Sequence, residues 1–173
     1  MSGRTFLGNV LDLDSASRIY SNYAFGRTSV SDFIKNPALI PILCLFDFAT
    51  AFPSVIHDWI FICLELREFP LWFIGLVKSI YHKAAAYAHG NGKLNLMFYF
   101  FSGVLQGCPG SAFLFNLALD PFLYLFHKNL REHRAGIVRA CADDIGAALR
   151  NLKQLSLMFP IFRDAQSLSL IHI

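Results

Sequence analysis

The chain has 173 residues, 15 Lys and Arg against 12 Asp and Glu for a formal net charge of +3, and is 55% hydrophobic with only 16% charged residues. That length and apolar content suit one domain with a real core and exclude a disordered chain, while so small a positive charge permits a nucleic-acid partner without requiring one. The mean hydropathy of +0.45 raises a membrane reading, and Leu94 to Leu119 carries no charge. Asn95, Gln106, Asn116 and the break Gly107-Cys108-Pro109-Gly110 interrupt that stretch, and an open backbone break is not tolerated in lipid. A buried strand, a loop and a buried helix are expected there instead. Cys44, Cys63, Cys108 and Cys141 are widely separated, with no C-x-x-C pair, so neither a zinc site nor a disulfide framework is expected, and a reducing compartment is the default.

In chain order, Phe6, Val10, Leu11, Leu13, Ala16 and Ile19 recur at helical spacing and predict an amphipathic helix to about Asn22. Tyr23 to Asn36 shows no firm period and reads as loop. Ile42 to Phe48 is a short apolar run whose continuity predicts a strand covered on both faces. Pro53-Ser54 can open a helix over Val55 to Phe69, in which adjacent His57 and Asp58 do not face each other and read as surface groups. A further helix from Leu71 to about His82, a hairpin around Gly90-Asn91-Gly92 and a long apolar helix from Ser111 to about Arg131 follow. Asn151 to Gln166 reads as helical, with Leu152, Leu155, Met158, Phe159 and Phe162 inward.

Three segments carry chemistry-bearing residues. Gly136-Ile137-Val138 and Ala147-Ala148-Leu149 read as strands flanking a turn at Asp143-Asp144. Two carboxylates close together in an apolar run repel, and burial penalises them further, so the pair asks for a cation. Taken alone, the pair reads more simply as an exposed polar turn, where Asp is common. Asp47 is the one acid in its strand, and a turn cap is its ordinary role. Gly103-Val104-Leu105-Gln106-Gly107-Cys108-Pro109 precedes the long helix, whose first amides suit a phosphate, while Gln106 can hydrogen-bond both ways. An ordinary strand-to-helix turn fits as well.

In this order, Phe46-Asp47-Phe48-Ala49-Thr50-Ala51-Phe52, then Gly103 to Ser111 with Leu114-Phe115-Asn116-Leu117, then Ala142-Asp143-Asp144, resemble the palm motifs of a reverse transcriptase, most closely the LINE-type, non-LTR retrotransposon class. Gly3-Arg4 and Asn9-Val10 resemble the finger segment that precedes the palm. The resemblance spans Gly3 to Gln166 and implies an α+β fold, a right-hand palm of antiparallel sheet with helices packed on one face. Residues 3–40 would be the end of truncated fingers and 41–166 the palm. The triphosphate-gripping finger strands would lie upstream, and the lysine-bearing palm segment and thumb downstream. A group II intron-type reverse transcriptase is the near alternative, and a catalytically inactive remnant of a retroelement the distant one.

The resemblance further implies RNA-directed DNA polymerisation, with RNA template, DNA primer and deoxynucleoside triphosphates as partners, no membrane, and two Mg²⁺ ions for which Mn²⁺ could substitute. Asp47, Asp143 and Asp144 would hold the metals. Phe48, Phe52, Gln106 and Gly107 would lie against nucleotide or template, Phe52 closing on the ribose, although core packing suits Phe52 too. The chain departs from the family pattern at Cys141, where Tyr is usual, at Pro53, where this class often has Asp, and at Gly110 and Ala112, where Leu and Pro are usual. Residues 168–173 resemble translated sequencing-adapter sequence and are expected to form an extraneous tail, so His172 is not read as a ligand.

Overall fold

The computed structural model describes residues 6–48, 50–105, 107–142 and 144–167. The expectations placed on Gly3-Arg4, Ala49, Gln106, Asp143 and the tail 168–173 lie outside them. The chain divides into two compact units, Met1–Ala49 with Pro121–Ala165, and Thr50–Asp120.

The first unit opens with helix α1, Phe6–Phe25, about 30 Å long at 1.5 Å per residue. A short helix α2, Val30–Lys35, follows where loop was expected. Its start signal was in the sequence: Ser29 accepts a hydrogen bond from Asp32 N at 3.2 Å, the N-cap bond that satisfies one of a helix's orphan donors. Strand β1, Ile42–Phe46, then pairs with a strand 100 residues further on, and the sheet is completed by a hairpin. The hairpin strands are β4, Gly136–Cys141, and β5, Asp144–Leu149. The strand order is β1-β5-β4, antiparallel throughout.

Side chains alternate across this sheet, so its two faces can be read from the register. Phe46 stands opposite Ile145 and shares its face. On that side the Phe46 ring meets Phe162 at 4.8 Å, and Phe162 meets Phe126 at 4.8 Å. These rings come from α7, Phe159–Ser167, and from the C-terminal half of α6, Pro109–Glu132, so two helices cover one face as expected. Leu45 and Gly146 share the other face, where α1 lies. A Cβ on Gly146 would fall 2.4 Å from Leu13 Cδ1. Here α1 adds cover on the second face, mainly over β4 and β5: Asn9 Nδ2 donates to Ala140 O at 3.0 Å, and Arg139 pairs with Asp12 at 2.8 Å. Strand β1 is therefore an edge strand with Leu43 and Leu45 exposed, not the doubly covered strand its composition predicted. An apolar run records what could be buried, and the position in the sheet decides what is.

The second unit is helical with one hairpin. The helix predicted from Pro53 onward is two helices, α3, Ala51–Ser54, and α4, His57–Leu66. Between them Val55 and Ile56 are extended, and Ile56 bridges Ser102. Helix α5, Leu71–Tyr81, is as predicted, and β2, Ala85–Gly90, pairs with β3, Lys93–Tyr99. The hairpin turn has positive φ at both Asn91 (52°) and Gly92 (71°), the pattern that matches strand twist. The N-terminal half of α6 closes the unit, with Trp59 Nε1 donating to Ala118 O at 2.9 Å and Phe52 stacked on Phe115 at 4.6 Å.

The last predicted helix divides too. Leu152–Leu157 is a 3-10 helix ahead of α7. Met158 and Phe162 point inward as predicted, while Leu152 and Phe159 are exposed. No helix among the described residues is long and apolar enough to cross a membrane.

Candidate active site

Strand β1 ends at Phe46, opposite Ile145, and one further step of that register sets Asp47 across from Asp144. Directly opposed residues of an antiparallel pair have Cβ atoms about 5 Å apart. By alternation both acids belong to the face of Leu45 and Gly146. Two carboxylates separated by 97 residues of sequence thus meet at one end of the sheet. On the other side of Asp144, the hairpin pairs it with Cys141 across the connection Ala142-Asp143, and Ala142 takes φ +51 to make that turn.

Both Asp47 and Asp144 are exposed. The expectation that burial drives the need for a cation is thus corrected: the acids sit at the open end of an edge strand and a hairpin. Neither has a salt-bridge partner among the described residues. A cavity of about 300 Å³ lies beside them, lined on one side by Asn9, Val10 and Leu13 of α1 and on the other by Asp47, Arg139 and Asp144. Arg139 is committed to Asp12, which leaves the acids unneutralised. Among the described residues no three His, Cys, Asp or Glu side chains gather as a metal-holding group, and Asp143, the third expected acid, is outside that set. The donors at hand are carboxylate oxygens on one open face, which suits a hard divalent cation.

The glycine loop belongs to the second unit. Gly103 has φ +96, and a Cβ there would lie 3.0 Å from Pro53 O, so both conformation and space demand glycine. Gly107 has φ +84 with nothing within 4 Å of a Cβ: the backbone, rather than crowding, requires glycine there. The loop is tied down on three sides. Gly103 N donates to Val55 O at 2.8 Å and Val104 N to Phe52 O at 2.9 Å. His57 Nε2 donates to Gly103 O at 2.8 Å. Ser111 Oγ donates to Leu105 O at 2.5 Å, and Leu105 N donates to Tyr81 Oη at 3.4 Å.

His57 is therefore a buried anchor of this loop, 5% exposed, and not the surface group its sequence suggested. Tyr81 and Ser111, both 3% exposed, are further anchors that sequence reasoning missed. The polar side chain within an apolar helix was the available signal for each, but the partners of His57 and Tyr81 lie 46 and 24 residues away. Phe48, expected against nucleotide or template, is 3% exposed, and its ring meets Phe162 edge-on at 6.5 Å in the core of the first unit. Phe52 stacks on Phe115, the core packing that its position also allowed.

An antiparallel sheet that aligns an acid after β1 with an acid opening β5, and helices on the opposite face, define a polymerase palm-like α+β fold. The sequence matches the reverse transcriptase (RNA-dependent DNA polymerase) family over residues 13–167, and the chain belongs to that family. It is 30% identical over 129 residues to the transposon TX1 uncharacterized 149 kDa protein of Xenopus laevis, a match covering 71% of this chain and 10% of that protein. The expected affiliation with a non-LTR retrotransposon agrees with that transposon relative. Apo telomerase from Candida tropicalis, truncated from its C-terminal domain, shares the fold with a TM-score of 0.54 and 11% identity over 95% of this chain and 39% of that one. The chain thus spans about a tenth of its curated relative. Reverse transcriptases in general work on nucleic-acid templates and nucleotides with divalent metal ions.

Proposed function

We propose that this chain is the palm segment of an RNA-directed DNA polymerase encoded by a non-LTR retrotransposon. The observation that carries the reading is that Asp47, just past β1, and Asp144, opening β5, are both exposed and line one cavity, without a salt-bridge partner among the described residues. With Asp143 beside them in sequence, these acids would hold two Mg²⁺ ions. Bound there, the ions would supply charge neutralisation for the triphosphate and a lowered pKa for the primer 3′-hydroxyl. The chain's own part is to hold Asp144 at the start of β5 and Asp47 just past β1, both exposed beside a cavity that α1 walls on one side. In the second unit, Gln106 and Gly107 would lie against nucleotide and template, with His57, Tyr81 and Ser111 holding the loop backbone in place. Phe52 would border the ribose and favour deoxynucleotides while stacked on Phe115.

A primer-extension assay on an RNA template tests this, with Asp144→Asn as the probe. Loss of several kcal/mol of transition-state stabilisation predicts a fall in rate of roughly 10² to 10³-fold. Unchanged extension by Asp144→Asn would sink the assignment. A second reading, an inherited scaffold without turnover, draws on Cys141 in place of the family's usual Tyr. Mn²⁺ binding separates the two: binding lost in Asp47→Ala supports the metal site, and no binding by the parent chain supports the scaffold.

A further inference from the structure

At the end of the β4–β5 hairpin remote from the acids, three arginines line a cavity of about 270 Å³: Arg131 at the end of α6, Arg134 before β4, and Arg150 after β5. Tyr20 of α1 and His127 complete its polar lining, and no carboxylate among the described residues contributes to it. The ion pairs among the described residues use Arg18, Arg67, Lys78 and Arg139, and none of these three arginines. The five residue steps from Cys141 back to Gly136 put this site about 17 Å along the sheet from the acid turn.

Helix α6 ends in a Schellman motif, with Ala135 N bonding Leu130 O at 2.8 Å and Arg134 N bonding Arg131 O at 3.1 Å. The left-handed position of that motif favours glycine, yet Arg134 occupies it at φ +48. A side chain there costs about 1 kcal/mol of backbone strain. Cations near a helix C-terminus are ordinarily explained by the helix dipole. That explanation does not cover Arg150, which follows a strand and is held over the Tyr20 ring at 4.7 Å. Arginines from two elements thus line one cavity, one of them at a conformational cost. An adjoining trough continues the positive lining through Lys128, with Glu132 as its one acid among the described residues.

We infer that this cavity is an anion site for the phosphodiester backbone of a nucleic acid, separate from the candidate active site. Planar guanidinium forks match phosphate oxygens bidentately, and the Tyr20 ring already serves as a stacking platform. Charge and geometry call for an anion, and the choice of nucleic acid over another polyanion rests on the reverse transcriptase reading.

The test is binding of a fluorescent RNA hairpin to the chain in EDTA, over about 50 to 200 mM salt. EDTA removes the acid site from the readout, so failure here and failure of the polymerase reading are told apart. Arg134→Gly is the informative variant, because glycine fits the left-handed position: affinity should fall about 3- to 10-fold while the melting temperature holds or rises. The slope of log affinity against log salt should flatten by about 1 for each phosphate no longer neutralised. The control Lys153→Gln removes the same charge elsewhere on the surface. Equal losses in the control, or unchanged affinity and slope in folded Arg131→Gln/Arg134→Gly/Arg150→Gln, would overturn the inference. So would displacement of the RNA by about 1 mM inorganic phosphate at fixed ionic strength, which marks a small-anion site.

Discussion

Ala142 holds φ +51 in the connection between the two hairpin strands that carry the acids. A Cβ in the left-handed region costs about 1 kcal/mol or more, and glycine removes that cost. Ala142→Gly is expected to raise stability by about 0.5 to 1 kcal/mol in urea unfolding; a loss of stability would mean that the alanine methyl is used in packing. The cysteines differ in a comparable, local way. Burial pushes the Cys63 thiol from 9.0 up to about 11, with Arg67 opposing and Asp120 adding to the rise, whereas Cys141 is exposed. At pH 8 a thiol reagent should label Cys141 and leave Cys63 unreacted in the folded chain. Because the folded pKa of Cys63 is raised, its contribution to stability is whole below pH 9 and is lost as pH climbs to about 11. Cys63→Ala should flatten that alkaline decline, measured as unfolding midpoint against pH.

Among the elements, the hairpin of β4 and β5 depends on one glycine more than on any other. A Cβ on Gly136 would fall 2.1 Å from Ala148 O, a backbone atom that cannot turn aside. Gly136→Ala must therefore push the strands apart, at about 2 to 3 kcal/mol. Hydrogen exchange of the β4 amides would report it, and unchanged protection would show that the strand can shift without loss. Gly146 is the milder case, since its close neighbour is the mobile end of Leu13. Helix α1 gains its position by that approach and by the bonds of Asn9 and Asp12 to β4. It thereby forms one wall of the cavity beside the acids.

At the scale of the molecule, the proposed metal site couples ion binding to folding. Any ion that binds the folded form alone stabilises it by mass action. Mn²⁺ at about 100 times its dissociation constant should raise stability by roughly 2.7 kcal/mol. The double variant Asp47→Asn/Asp144→Asn should lose that response. A Mn²⁺-induced rise in melting temperature that survives the double variant would place the ion elsewhere.

The order of the acid, glycine-loop and acid-pair motifs was legible in the sequence because each is a local signal: a lone acid ending an apolar strand, glycines where φ is positive, adjacent carboxylates in a turn. Family and palm class followed from that order. Tertiary structure decided the rest. Which strand became the edge, leaving Leu43 and Leu45 exposed, depends on partners 100 or more residues away. So does the packing of the Phe48 ring against Phe162. The burial of His57, Tyr81 and Ser111 around one loop likewise draws on segments that are distant in the chain. Local pattern states what a residue can do. Pairing register and packing select which of those options is realised, because hydrogen bonds and burial are settled between segments that only the folded chain brings together.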